Sequence, residues 1–394
     1  MMNTLVLNRD GDFYDKIGAG DTAREIARQP DIWRKLADYL ESCESDISAF
    51  MDKMEAVHGL RTVFTGAGSS AFIGESMQML LAGEFGLRCE AIHTTDIVAS
   101  PVSTLPDAPT LLVSYSRSGE SPESIGALQY AAKRISNLYN IVFVCKKGST
   151  VSKYANEADG ILVLDMPPES CDLGFAMTSS VSCMALATWC VFGYREFGAR
   201  LDSVRRLAGL AEPQIDRFGL SAQTVASWAF DRIVYLGCGA LRGLAREASV
   251  KMLELTAGEV NGGWDTPTGF RHGPKSVIND STVTVHLLST LPLTRKYDDS
   301  LLCEVLRQRR GNKAVAVGTS FDGIEGSDME IRYTLDKGMR GEIFPYIMGL
   351  LYVQLLALEK SILLGKTADD PCAGGEVNRV VTGIEIFPLE TGGS

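Results

Sequence analysis

Apolar positions run along the chain in two rhythms. Up to about residue 50, Ile26, Trp33, Leu36 and Leu40 recur at helical spacing with charges between them. That spacing predicts an amphipathic N-terminal helical arm over 1–50, packed against a neighbouring domain or subunit. From about residue 60 the rhythm becomes short apolar runs separated by helical stretches. Thr62–Thr65, Cys89–His93, Thr110–Ser114, Asn140–Cys145 and Gly160–Leu164 read as buried strands, with a helix from the Gly66–Ser70 turn to about Phe85. Buried strands alternating with helices predict an α/β fold with a parallel sheet covered on both faces.

The rhythm then starts again. Val63-Phe64-Thr65-Gly66-Ala67-Gly68-Ser69-Ser70 and Val234-Tyr235-Leu236-Gly237-Cys238-Gly239-Ala240-Leu241 share one plan: an apolar strand, Gly-X-Gly, then a helix. A helix over Leu241–Leu255 and strands at Thr282–Leu288 and Lys313–Gly318 follow. This weak internal duplication predicts two similar α/β domains, 51–205 and 206–394, meeting in the charged helical stretch between Arg200 and Gln223. The most apolar run, Ile343–Leu358, contains Pro345, Gly349 and Gln354 and is shorter than a bilayer span, so a buried helix is expected.

Composition adds limits. A chain of 394 residues suits two domains, and 45% hydrophobic with 22% charged residues suits a packed core. A net charge of −11 argues against a nucleic-acid partner, yet a small anion needs only a local nest of donors. Nine cysteines without C-x-x-C spacing read as reduced, mostly core cysteines of a cytoplasmic protein with no structural zinc. Met1–Asp10 lacks a basic segment followed by an apolar one, so no signal peptide is expected, and no membrane association.

Candidate chemistry concentrates after two strands. Ser114-Tyr115-Ser116-Arg117-Ser118-Gly119-Glu120-Ser121 follows Thr110–Val113 and precedes Pro122, which suits a first helical turn. Serine hydroxyls, backbone amides and a helix N-terminus thus converge at the carboxyl end of a strand, where open parallel sheets bind ligands and where an anion is favoured. Plain helix capping explains one serine but not four within eight residues. Gly66–Ser70 is a second such turn. It lacks the full G-x-G-x-x-G pattern and no Walker lysine follows it, so a dinucleotide is poorly supported.

At these residues the chain resembles the SIS (sugar isomerase) superfamily, whose phosphate-binding signature pairs G-A-G-S-S-A with S-R-S-G-E-S. Thr94-Thr95-Asp96, Gly174–Ser180, Glu254–Gly258, Asp265–Ser276 and Val377–Val381 narrow the resemblance, over roughly residues 20 to 390, to the galactosamine-6-phosphate deaminase/tagatose-6-phosphate ketose/aldose isomerase family. The resemblance implies tandem SIS domains, each a five-stranded parallel sheet sandwiched by helices in a flavodoxin-like three-layer αβα arrangement. It implies a sugar phosphate as ligand, held by Ser69, Ser70, Ser116, Arg117, Ser118, Gly119 and Ser121, with no metal and no cofactor.

Glu247, Lys251 and Glu254 are spaced to share one helix face, and on spacing alone Glu247–Lys251 reads as an ordinary solvated i,i+4 pair. The resemblance gives Glu254 the proton shuttle between C1 and C2 of the sugar, with Lys251 beside it. It gives His272 ring opening, and because that histidine often crosses a subunit interface in relatives, it implies a homodimer or higher homo-oligomer. Arg379 stands where a relative of the family carries a lysine in a closing C-terminal loop. Being permanently protonated, it is unsuited to a Schiff base; it either binds an oxyanion or lies on the surface. Arg117 either contacts the phosphate or pairs with Glu120 or Glu123. His58, His93 and His286 lie near or within elements and read as structural. The expected activity converts galactosamine 6-phosphate to tagatose 6-phosphate and ammonia. Two alternatives stand beside it: aldose–ketose isomerisation without deamination, and a non-catalytic sugar-phosphate sensor, which would not need Glu254 and His272.

Overall fold

In the computed structural model, which describes residues 5–156, 160–375, 377–381 and 383–389, the chain forms two five-stranded sheets, parallel throughout. The first contains β1 (Arg61–Thr65), β2 (Cys89–Ala91), β3 (Thr110–Ser116), β4 (Leu138–Val144) and β5 (Ile161–Asp165) in the order β2-β1-β3-β4-β5. The second contains β6 (Arg232–Leu236), β7 (Asn261–Asp265), β8 (Thr282–Leu287), β9 (Lys313–Gly318) and β10 (Met329–Arg332) in the order β7-β6-β8-β9-β10. Both follow the flavodoxin-like order, in which the chain direction reverses beside the first strand and leaves a ligand crevice there. The duplication reaches backbone detail. Gly68 has φ 56° and ψ −129°, and Gly239 has φ 57° and ψ −127°. Only glycine adopts that conformation without strain.

Two strands escaped the sequence pattern. β7 reads Asn-Gly-Gly-Trp-Asp, without the β-branched residues that mark a buried strand. The glycine is needed for packing: a Cβ on Gly262 would lie 2.3 Å from the carbonyl oxygen of Ser249. β10 is a short edge strand of alternating polarity, Met-Glu-Ile-Arg. The N-terminal region begins with a two-residue hairpin, Leu5–Val6 against Arg9–Asp10, rather than a helix. Its helices, including α1 (Gln29–Ser42), bury Ile26, Trp33, Leu36 and Leu40 within this chain's own core, and Trp33 Nε1 donates to Ser182 Oγ at 2.9 Å.

The remaining helices that matter here are α2 (Ser69–Phe85), α3 (Pro122–Arg134), α4 (Ser179–Phe192), α5 (Phe197–Ala226), α6 (Ala240–Leu255), α7 (Pro292–Arg307) and α8 (Ile343–Leu363). α5 is one continuous helix that carries Pro213 inside it and links the two sheets, so the expected boundary at 205/206 falls within a helix. α8 is long and apolar enough to cross a membrane, but 89% of its most apolar stretch is buried inside the fold, as expected for a core helix. Among the nine cysteines all are free; Cys145, Cys183 and Cys190 are fully buried and the other six are only partly buried, which corrects the expectation of mostly core cysteine.

α2 and α6, the helices that follow the two glycine turns, pack directly on one another and are joined in one core that spans both sheets. Gly243 makes the crossing possible: a Cβ there would sit 2.2 Å from Ser76 Oγ and 2.7 Å from the carbonyl oxygen of Phe72. Replacing a helical glycine by alanine normally gains about 1 kcal/mol of helix propensity. Here the collision is with backbone and outweighs that gain. Gly243→Ala is expected to lower stability by about 1–3 kcal/mol, read as a lower urea midpoint at unchanged slope.

Candidate active site

The β3 loop and the β1 glycine turn meet at the switch point of the first sheet. Ser116 Oγ accepts from the Gly119 amide at 2.9 Å, Ser118 Oγ accepts from the Glu120 amide at 3.2 Å, and Ser121 Oγ donates to Ser124 Oγ at 2.6 Å. Gly119 has φ 63°, and a Cβ there would lie 2.1 Å from Ser149 Oγ, so both conformation and space demand glycine. A cavity of about 110 Å³ opens between Ser70, Ser116, Ser118 and Ser121, roofed by Met177 and by Arg379–Val381 of the C-terminal segment. Ser69 and Gly119 do not line it. Ser69 instead begins α2 on the side of Glu247.

Arg117 is buried, lines the same cavity, and reaches backbone carbonyls with its guanidinium. Its Nη1 donates to the Phe175 carbonyl at 3.2 Å and its Nη2 to the Arg379 carbonyl at 2.7 Å. Neither Glu120 nor Glu123 is its partner; Glu120 takes Lys146 and Thr150. Arg117 therefore ties the serine loop to the 172–178 loop and to the C-terminal segment. Arg379 completes the tie by donating to the Asp172 carbonyl. Further along, Ile386 packs on α3, where Gly126 leaves room for it, and the Tyr130 hydroxyl donates to the Phe387 carbonyl.

The 172–178 loop is itself held by a carboxylate that sequence reading passed over. Asp172 is fully buried and accepts from the amides and the hydroxyls of Thr178, Ser179 and Ser180 at the N-terminus of α4. Glu25 takes the Leu173 and Gly174 amides. Its carboxyl is pushed up to about 7, by burial first and then by the Asp172 charge.

The second unit supplies a line of charge on α6. Glu247 and Lys251 are each 1% exposed, so the solvated i,i+4 pair expected from spacing is in fact buried; Glu254, 28% exposed, is the outermost of the three. Lys251 Nζ bonds Glu254 and lies 3.6 Å from Glu247. Burial pulls the Lys251 ammonium down, but the two carboxylates outweigh it and hold the group above its usual range. Lys251 is thus a buried cation rather than a free amine. Burial lifts Glu247 to about 7, with Lys251 and Ser69 opposing and the Glu254 charge adding to the rise. Arg117 is drawn down by its own burial, with Asp172 opposing, Arg379 adding, and Glu254 also within reach of it. The serine loop of the first sheet and the Glu254 helix of the second therefore form one electrostatic neighbourhood.

No side-chain hydrogen bond or ion pair among the described residues joins His272 to it. His272 follows the short helix Pro267–Phe270 and is exposed. His286, by contrast, is buried on β8 and driven down to about 3 by that burial, and His93 bonds Glu75 at 2.8 Å, both as structural histidines. A larger cavity, about 800 Å³, lies at the amino ends of the first-sheet strands, near Met51, Leu60, Phe85 and Leu111. Ligands of open parallel sheets bind at the carboxyl ends, so the small serine-lined cavity marks the site. No group of three or more His, Cys, Asp or Glu side chains among the described residues has metal-binding geometry.

The chain is similar to known proteins along nearly its whole length. The SIS domain family model matches residues 58–192. The D-galactosamine-6-phosphate deaminase AgaS of Escherichia coli is 36% identical over 376 residues, covering 94% of this chain and 96% of the relative. The protein of the same name from Shewanella sp. (strain ANA-3) is 35% identical, covering 94% and 93%. The chain belongs to the AgaS family of SIS-domain proteins. The solved structure of tagatose-6-phosphate ketose/aldose isomerase from Escherichia coli superposes on this AgaS-family chain with a TM-score of 0.87 at 34% identity, covering 94% of this chain and 97% of that one.

The buried carboxylate of α6 gives this AgaS-family chain a pH signature. Glu247 rises from 4.5 to about 7 on folding, so the folded state prefers its proton. The stability it contributes is full below pH 4.5 and is lost as pH rises through 7, on the order of 3 kcal/mol. Glu247→Gln keeps the shape without the charge. Urea unfolding at pH 5 and pH 8 is expected to show this fall in the native chain and a smaller one in the variant.

Proposed function

We propose that this chain converts galactosamine 6-phosphate to tagatose 6-phosphate and ammonia. The observation that carries the reading is the serine cradle of the first sheet set against Glu254 of the second. The cavity of about 110 Å³ is far below the ~300–1,000 Å³ of a whole-ligand pocket, so it seats the phosphate end alone. Hydroxyls of Ser70, Ser116, Ser118 and Ser121 and the α3 N-terminus hold the dianion, and the remote phosphate positions the reacting carbons. Arg117 ties the cavity walls together and, lining the cavity itself, adds a positive charge beside the dianion.

Ring opening needs a proton on the ring oxygen, the role of His272. Glu254 then takes the C2 proton of the open-chain aldosamine and delivers it to C1 through an enolamine. The resulting C2 imine adds water and expels ammonia, which balances aldosamine plus water against ketose plus ammonia. Lys251 holds the Glu254 carboxylate in place and needs no proton transfer of its own. The exposure of His272 within one chain supports its donation across the interface of a homodimer or higher homo-oligomer of a cytoplasmic enzyme.

A second reading, isomerisation of the neutral sugar without deamination, draws on the description of the Escherichia coli structural neighbour as a ketose/aldose isomerase. Both reactions use the same shuttle and differ in the C2 substituent. Incubation with galactosamine 6-phosphate is expected to release ammonia stoichiometrically with ketose; rapid interconversion of neutral hexose phosphates without ammonia would favour the second reading. Glu254→Gln is expected to lower kcat by at least about 100-fold while phosphate-dependent binding persists. Retained turnover would remove Glu254 from the mechanism.

Subunit exchange tests His272. Glu254→Gln and His272→Ala chains are each expected to be inactive. Mixed in equal amounts and re-equilibrated, they recover about a quarter of native activity if each site pairs Glu254 of one chain with His272 of the other. No recovery would place both groups in one chain.

A further inference from the structure

The two sheets share their order, their glycine turns and the crevice between first and third strands, so the fold builds the phosphate cradle twice. The loop after β8, Leu288-Ser289-Thr290-Leu291, occupies the place of the loop after β3. Each ends on a proline at the first turn of the next helix, Pro122 of α3 and Pro292 of α7. Each contains a serine Oγ that accepts a loop amide: Ser116 from Gly119 at 2.9 Å, and Ser289 from Leu291 at 3.0 Å. In side chains the two crevices differ. After the glycine turn, Ser69-Ser70 is replaced by Ala240-Leu241, and the residue between the glycines is Cys238 where the first turn has Ala67.

Two carboxylates stand in the second crevice. Asp298 of α7 accepts from the Ser289 amide at 2.9 Å. Glu342, just before α8, accepts from the Thr290 amide and the Thr290 hydroxyl, each at 3.0 Å. Asp298 is 1% exposed and Glu342 6%, and each keeps one buried oxygen without a partner. Both face the glycine turn across the crevice: after burial itself, the Asp298 carboxylate and then Glu342 push the Cys238 thiol up to about 12. Buried carboxylates with a free oxygen are expensive, and helix capping by one acidic residue does not call for two. Loop amides with a carboxylate docked on them are an anion nest already occupied.

We infer that Asp298 and Glu342 are built-in carboxyl groups that occupy the amides of the second cradle, so each chain takes a single sugar phosphate, at the serine loop. They determine which of two equivalent crevices is the active one. This inference rests on the reading of the serine loop as a phosphate cradle.

The test is a count of bound inorganic phosphate by equilibrium dialysis with the full-length chain. The native chain is expected to bind one phosphate per chain. Ser116→Ala/Ser118→Ala, with the second cradle intact, is expected to bind none at concentrations that saturate the native protein. Asp298→Ala/Glu342→Ala is expected to bind two, the second on the freed Ser289 and Thr290 amides. Two phosphates on the native chain, or one remaining on the serine variant, would overturn the inference. So would a single phosphate on a natively folded carboxylate variant, the fold checked by circular dichroism. If the carboxylate variant does not fold, the serine variant still decides. No phosphate on the native chain is a different failure: it removes the serine-loop reading itself, and this inference with it.

Discussion

The close crossing of α2 and α6 is the constraint on which the rest depends. Each helix leaves a glycine turn at the carboxyl end of its own sheet, so a direct contact between them brings two ligand crevices toward one another. Gly243 allows the approach by presenting no side chain to Ser76 and Phe72. Glu247, Lys251 and Glu254, one to three turns further along α6, are then carried to the start of α2 and the serine loop. A helix carrying three charges on one face would normally turn that face to water. Here two of the three are buried, and they are tolerable because they are paired in a row that ends at the half-exposed Glu254. The cation in the row is held by the two carboxylates that flank it.

A second layer of buried charge fixes the cavity wall. Asp172 gathers six donors at the start of α4, and Glu25 pins the loop beside it. The carbonyls thus held still are the acceptors of Arg117 and Arg379, which join three distant stretches of chain around the serine loop. An arginine inside a phosphate loop invites assignment to the phosphate. Its Nη groups rest on carbonyls while the residue also lines the serine cavity, so it shapes the wall that an entering anion would meet.

Much of the fold was legible because it is written in local rhythm. Eight of the ten sheet strands show as apolar runs, and the repeated Gly-X-Gly after an apolar strand revealed the duplication. The two missed strands fail for physical reasons: β7 is shaped by glycines that admit the backbone of α6, and β10 is a short edge. The serines and Glu254 were readable from type and spacing. Asp172 and Glu25 were not, since a lone acid in a loop or helix gives no sign that folding will surround it with amides. The burial of Lys251 was equally hidden, because i,i+4 spacing looks the same in water and in a core; only the contact with α2 distinguishes them. Nor does local pattern bear on His272, an exposed loop residue without a side-chain hydrogen bond among the described residues.

Duplicated folds raise the question of why one copy acts and the other does not. Backbone cannot answer it here, since the two glycine turns agree within a few degrees. The difference lies in what the crevice offers a dianion. In the first, serine hydroxyls line the cavity together with Arg117 and Arg379. In the second, alkyl groups replace hydroxyls and carboxylates engage the amides. An anion entering the second crevice would find its amides already taken by two carboxyl groups, of which Asp298 is lifted to about 7 by burial, with the Ser289 amide opposing and Glu342 adding to the rise. The second copy was thereby free to contribute its helix face in place of its cradle. On the proposed reading, the same pair of helices that crosses at Gly243 lets one unit hold the substrate while the other moves its proton.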